Sequence, residues 1–199
     1  MINSGFKVIY YHTVGKRSDY LDFFFPEVPI HSFINHINKL IKKKYYFVSF
    51  EELYEEYQKK NDISKFVVLT FDDGYFSNFQ NVKSFLKQKK IPATFFLTGT
   101  TITNNPMWRD KLSFSLNYIK KNNPQDLFSF QQEVKKSLDW KYHEFLTKTD
   151  DLLKVFNIPD PSKLFSKERL YMNEEDIHEL LKDGHSLGLH SMYHPYFKN

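Results

Sequence analysis

VVLTFDDGYFSNF, residues 67–79, sets two adjacent carboxylates, Asp72 and Asp73, between a strongly apolar run and a glycine. The run at 66–71 (FVVLTF) is apolar on both faces, which predicts a strand inside a parallel sheet that helices cover. Like charges placed side by side repel and are costly to desolvate, so the pair calls for a cation, a helix N-terminus or bulk water to offset it.

Working outward, further strands are predicted at 6–11 (FKVIYY), 45–50 (YYFVSF), 93–99 (ATFFLTG) and 185–189 (HSLGL). Between them apolar residues recur at helical spacing. Phe33, Ile34, Ile37, Leu40 and Ile41 mark one helix, and Leu53 and Tyr57 a second, opened by a capping box of Ser49 and Glu52. Phe79, Val82, Phe85 and Leu86 mark a third, for which Ser77 and Gln80 form the expected capping box. Ile177, Leu180 and Leu181 mark the last, capped by Asn173 and stopped at Gly184. This alternation predicts an α/β fold with parallel strands and right-handed crossovers.

Residues 104–170 break the rhythm. They carry no strong strand signal and predict helices over 107–119, 130–138 and 142–156, with Pro159 and Pro161 punctuating the end. They are expected to form a helical insertion within one domain spanning residues 1–199.

Hydrophobic residues make up 41% of the chain and aromatics 18%, with 21 Phe and 13 Tyr, so an aromatic-rich globular core is expected. The net charge of +4 comes from lysines near predicted helix ends, such as Lys42 to Lys44 and Lys87, Lys89 and Lys90. There they complement the helix dipole and face water, so no nucleic-acid partner is expected. The lack of cysteine excludes disulfides, thiolate metal sites and a Cys nucleophile. The N-terminal MINSGFKVIYYH has no basic region followed by a long apolar one, so neither a leader nor a transmembrane segment is expected, and the location is expected to be cytoplasmic.

Catalytic groups of parallel α/β proteins gather at the C-terminal ends of strands. His12, Asp72, Asp73 and His190 each follow a predicted strand, and Thr98 and Gly99 end the strand between them. In HSMYHP, residues 190–195, His190 and His194 stand four apart, and Pro195 disfavours a helical His194, so a loop or single turn is expected. Two imidazoles and a carboxylate suit Zn²⁺ or another divalent ion, with positions left open for water and substrate. One acid of the pair would then ligate while the other takes a proton from water. The alternative, that the aspartates cap the following helix and the histidines are ordinary loop residues, is left open by spacing alone.

His12 is either a residue that supports or faces the substrate site or a plain strand-end histidine, while Trp108, with Arg109 and Asp110, either contacts a sugar or an acceptor lipid or packs the insertion on the barrel. His31, His36, His143 and His178 are read as surface residues, and His185 as structural. A phosphatase needing Asp-x-Asp is excluded because Gly74 stands two after Asp72. A glycosidase needs its two acids well apart.

Thr70-Phe71-Asp72-Asp73-Gly74 and His190-Ser191-Met192-Tyr193-His194-Pro195 resemble, in order and in placement after strands, the first two motifs of the NodB-homology polysaccharide deacetylases, carbohydrate esterase family 4. Tyr10-Tyr11-His12-Thr13-Val14 is similar to a Tyr-His segment on the first strand of many members. The resemblance implies a distorted (β/α)7 barrel that removes N-acetyl groups from amino sugars of a bacterial polysaccharide or its precursor, using a divalent metal, with Zn²⁺ as the expected ion. Asp73, His190 and His194 would be the ligands and Asp72 the general base; His12 and Trp108 are the candidates for substrate binding.

The family's later motifs, an Arg-x-Pro-Tyr segment, an Asp and Trp segment and a Leu-x-His segment that supplies the general acid, should follow Pro195 and do not. The expectation is therefore a barrel truncated after about five strands whose turnover alone is weak or nil, since proton donation contributes about 10²- to 10⁴-fold. Two other functions fit the same residues: hydrolysis of another small-molecule amide, as in allantoinase-like relatives, and a non-catalytic glycan-binding module.

Overall fold

The computed structural model describes residues 5–16, 18, 21, 27–103, 105–136 and 144–195. β1 (Lys7–Tyr11) leads through α1 (Ile30–Lys42), β2 (Tyr46–Phe47) and α2 (Phe50–Gln58) to β3 (Phe66–Phe71). α3 (Phe76–Lys89), β4 (Thr94–Leu97) and a single turn, α4 (Gly99–Ile102), follow. Next come α5 (Trp108–Asn122), α6 (Leu127–Lys136), α7 (Glu144–Val155) and α8 (Ser162–Glu168), and then α9 (Glu174–Lys182) and β5 (Ser186–Leu189). The result is the expected α/β architecture, an all-parallel five-stranded sheet with helices between its strands and a helical stretch before α9.

The strands run in the order β1, β3, β4, β5, with β2 pairing with the start of β3. Tyr11 lies opposite Phe71, Phe71 opposite Phe95, and Leu97 opposite Leu189. This register brings the strand ends to one rim, so His12, Asp72, Asp73, Thr98 and His190 emerge as neighbours.

Alternation sorts the strand residues onto two faces. Tyr11, Leu69, Phe71, Phe95 and Leu97 point toward α1, α3 and α9, where Phe33, Ile37, Val82, Leu86 and Leu180 bury them. Each such side chain contributes about 1.5–3 kcal/mol on leaving water. On the opposite face Val68 packs with Leu53 and Ile63, while Val8 and Tyr10 of β1 are exposed.

Two sequence expectations need correction here. The strand predicted at 45–50 shortens to Tyr46–Phe47, because Ser49 already turns aside to accept the Glu52 N–H and cap α2. The capping box of Ser77 and Gln80 does not form: α3 starts at Phe76 after an extended Tyr75, which leaves Ser77 buried inside the first turn.

The helical stretch expected as an insertion builds a second core from Trp108, Leu112, Leu116, Ile119, Phe130, Val134, Leu153 and Phe165, which Leu21 and Tyr75 join. α5 outruns its expected end at 119, and α6 begins three residues before the expected 130. Positions 138 and 142, where two expected helices end and start, and His143 lie outside the described residues. α8 was not expected: Pro161 read as a terminator but stands at the N-cap of that helix, where its missing N–H costs nothing. No helix among the described residues is long and apolar enough to cross a membrane.

Candidate active site

After β3 the chain turns sharply through two left-handed residues, Asp73 at φ +74° and Gly74 at φ +78°. Asp enters this region more easily than most residues, and Gly enters it freely. A side chain at 74 would also press on Thr101 Oγ1, 3.1 Å from where its Cβ would stand. The turn tucks Asp73 inward, 1% exposed, and leaves Asp72 half-buried on the rim with its N–H bonded to the Tyr11 carbonyl at 2.9 Å.

The histidine loop is tied just as firmly. The His190 N–H meets the Leu97 carbonyl at 2.9 Å, and the Gly99 and Thr100 N–H groups meet the carbonyls of Ser191 and Met192 at 3.0 Å each. Gly99 permits this approach, since an added Cβ would stand 3.2 Å from the Met192 Cα and closer still to its sulfur. Ser191 at φ +62° and His194 at φ +53° make the segment a turn, as Pro195 foretells, and the His194 N–H is held by Ser191 Oγ at 3.0 Å.

Three atoms converge as a consequence. His194 Nε2 lies 2.9 Å from His190 Nε2 and 3.2 Å from Asp73 Oδ1, and His190 Nε2 lies 3.6 Å from the same oxygen. Neither Asp73 oxygen makes a hydrogen bond of good geometry although both are buried, a costly state for a carboxylate. A proton shared between the two imidazoles would leave those oxygens unanswered, whereas a cation among the three atoms answers all of them. Zn–N bonds of about 2.0–2.1 Å in a tetrahedral site place neighbouring ligand atoms roughly 3.3 Å apart. The observed 2.9, 3.2 and 3.6 Å bracket that spacing, so the residues fit such an ion.

Electrostatics separates the two acids. Burial pushes the Asp72 carboxyl above its usual range, with Asp73 adding to the rise and His190, His12 and His194 opposing it. Burial also pushes Asp73 upward, but contact with His194 and the positive charges of His194, His12 and His190 outweigh it and hold Asp73 below its usual range. Burial lowers the His190 imidazole and repulsion from His194 lowers it further, against the pull of Asp73 and Asp72.

The fold thus brings Asp72, Asp73, His190, His194 and His12 to one rim. The backbone of His12 is set by Asn78 of α3, whose side-chain amide donates to the His12 carbonyl at 2.8 Å and accepts from the Val14 N–H at 2.9 Å. Trp108 does not open onto that rim: it is 2% exposed, and its indole N–H donates to the His194 carbonyl at 3.0 Å, so it supports the histidine loop rather than presenting a stacking face. Spacing did not reveal Asn78 as a tether of β1, nor Tyr75, whose hydroxyl reaches Asp110 in the insertion at 2.8 Å. Both lie in the opening stretch, and their residue types beside the aspartates were the only available signal.

Among curated proteins none matches this chain. Among solved structures, the de-N-acetylase from Aggregatibacter actinomycetemcomitans is similar over 94% of this chain and 53% of its own, at 19% identity and a TM-score of 0.52, which shows a shared fold. IcaB from Ammonifex degensii aligns over 57% of this chain and 49% of its own, at 24% identity and a TM-score of 0.43. The Streptococcus pyogenes deacetylase PplD, solved in complex with acetate, aligns over 55% and 51%, at 24% identity and a TM-score of 0.41. The chain spans about half the length of each of these structures. The polysaccharide deacetylase profile matches residues 59–199, the stretch that carries both aspartates and both histidines, and the chain belongs to that family.

Proposed function

We propose that this chain carries the metal centre and general base of a hydrolase that removes N-acetyl groups from amino sugars of a bacterial polysaccharide or its precursor, cleaving carbon–nitrogen bonds other than peptide bonds. The observation that carries the proposal is the convergence of Asp73, His190 and His194 around a buried carboxylate with no other partner, in a chain of the polysaccharide deacetylase family. The nitrogen-rich donor set favours Zn²⁺ among divalent ions.

When bound, the cation supplies Lewis acidity toward the amide carbonyl and toward water. Asp73, His190 and His194 hold it. Asp72 sits beside them without being needed as a ligand, and its burial-raised carboxyl suits it to accept the proton that the attacking water gives up. His12, on the neighbouring strand end, faces the substrate. Water adds to the acetyl carbon, the C–N bond breaks, and acetate and the sugar amine leave, the amine taking up a proton.

Calorimetric titration with Zn²⁺ tests the centre: near-stoichiometric binding is expected, and Asp73→Ala and His194→Ala are each expected to abolish it. Acetate release from N-acetylglucosamine oligomers tests the chemistry, and Asp72→Asn should lower it by about 10²-fold or more while leaving metal bound. Release is expected to be slow, so it is followed over long incubations against Asp72→Asn; metal and saccharide bound with release no faster than in that variant would sink the deacetylase proposal and favour a glycan-binding module. Release from a small-molecule amide alone would favour the allantoinase-like alternative.

A further inference from the structure

The two ligand-bearing segments are far apart in sequence, yet one turn of helix outside the sheet touches both. Trp108 and Asp110 lie in the first turn of α5, and each is 2% exposed. The Trp108 indole N–H holds the carbonyl of His194, 3.0 Å away. His194 occupies the left-handed region at φ +53°, which a non-glycine residue keeps only when its surroundings hold it there. With its N–H on Ser191 Oγ and its carbonyl on Trp108, both backbone polar groups of the ligand are fixed, and so is the direction of its imidazole.

Asp110 braces the other segment. Its carboxylate accepts from the Tyr75 hydroxyl at 2.8 and 3.0 Å and from the Tyr171 hydroxyl at 2.5 Å, while Tyr171 in turn accepts the Met107 N–H at 3.0 Å. Tyr75 stands two residues past Asp73. It forms an antiparallel bridge with Tyr171, flanked by 2.9 Å bonds from the Met172 N–H to the Gly74 carbonyl and from the Phe76 N–H to the Leu170 carbonyl. The exit of the insertion is therefore zipped to the turn that aims Asp73, and its entry is pinned to His194.

On the reading that Asp73, His190 and His194 hold a cation, we propose that Trp108 and Asp110 are positioning residues: the first turn of α5 fixes the His194 carbonyl and the turn after Asp73, so the helical insertion sets the affinity of the centre for its metal. A tryptophan placed there only to fill space would not need its N–H aimed at a ligand's carbonyl. Partners that orient metal ligands typically change affinity by about 10- to 100-fold when removed.

The experiment titrates the full chain with Zn²⁺ and with Co²⁺, whose visible bands report ligand geometry. Trp108→Phe removes the N–H, and it is expected to weaken binding of both ions by about 10- to 100-fold and to shift the Co²⁺ bands. The control is Phe130→Leu, in the same insertion core but on α6 and with no polar atom to offer either ligand segment; it should lower the thermal midpoint and leave affinity and bands unchanged. If Trp108→Phe does not fold, exchanging the indole at position 108 for benzothiophene swaps only the N–H for sulfur and decides by the same two readouts. A wild-type chain that binds neither ion overturns the metal centre itself. Wild-type binding that Trp108→Phe matches in affinity and bands, or that Phe130→Leu weakens equally, overturns the brace alone.

Discussion

Two stacked aromatic pairs sit at the hearts of two different kinds of core. In the sheet, Phe71 and Phe95 stack at 4.9 Å among side chains that are almost all apolar. Where the insertion meets the sheet, Tyr75 and Tyr171 stack at 5.6 Å with both hydroxyls on one buried carboxylate, Asp110. The first pair is held by burial, which is non-directional and forgiving of shape so long as volume is kept. The second is held by hydrogen bonds whose loss leaves buried groups unpaired, so one missing atom matters. The directional core is the one that holds the turn after Asp73 and the carbonyl of His194, where position counts most.

Volume loss is the largest perturbation and should be felt in the sheet. Phe95→Ala empties a fully buried site and is expected to cost about 3–5 kcal/mol in urea denaturation. A cost below about 1 kcal/mol would mean that the sheet core collapses around the cavity, contrary to close packing.

Tyr171→Phe is the matched test in the other core, because it removes one oxygen and almost no volume. It strips a donor from Asp110 and an acceptor from the Met107 N–H, with an expected cost of about 1–3 kcal/mol. An oxygen added to the apolar pair, Phe95→Tyr, should also destabilise, because extra volume strains a filled core. A neutral Tyr171→Phe would erase the contrast and make the insertion another burial-held core.

The same contrast explains what could be read from the amino acids. β3 was predicted at its observed limits because a run with five apolar residues in six needs both faces buried, and Asp73, His190 and His194 stood out because metal chemistry needs their types after strands. The capping box of Ser49 and Glu52 was legible because its two members are local. The false box at Ser77 shows the limit of such patterns: the left-handed turn at Asp73 and Gly74 decides where α3 begins, and a pattern of side chains does not record it. The link among Tyr75, Asp110 and Tyr171 was illegible for a different reason. No period or motif connects residues brought together only by the packing of the insertion, and Trp108 was open to a substrate role until its N–H was seen on His194.

The smallest expected effect tests a polar ring packed against the sheet core. His185 precedes β5, is buried, packs edge-on against Phe95 at 5.6 Å, and has no hydrogen-bond partner on either ring nitrogen. Burial pushes its imidazole below the usual value and Lys83 adds to this, while Asp183 opposes it. The folded state therefore keeps the ring neutral, and the unfolded chain takes up the proton first, near the ordinary value of about 6.5. Its contribution to stability is complete above that pH and is lost as the pH falls toward the lower folded value. Thermal midpoints measured from pH 8 down to pH 5.5 should fall more steeply for the wild type than for His185→Phe, which keeps a ring against Phe95 and cannot charge. At pH 8 the variant should be at least as stable, because it removes two unpaired nitrogens from an apolar site. Parallel pH profiles would mean that the ring finds a partner in solution, and that this core tolerates a satisfied polar group just as the insertion core does.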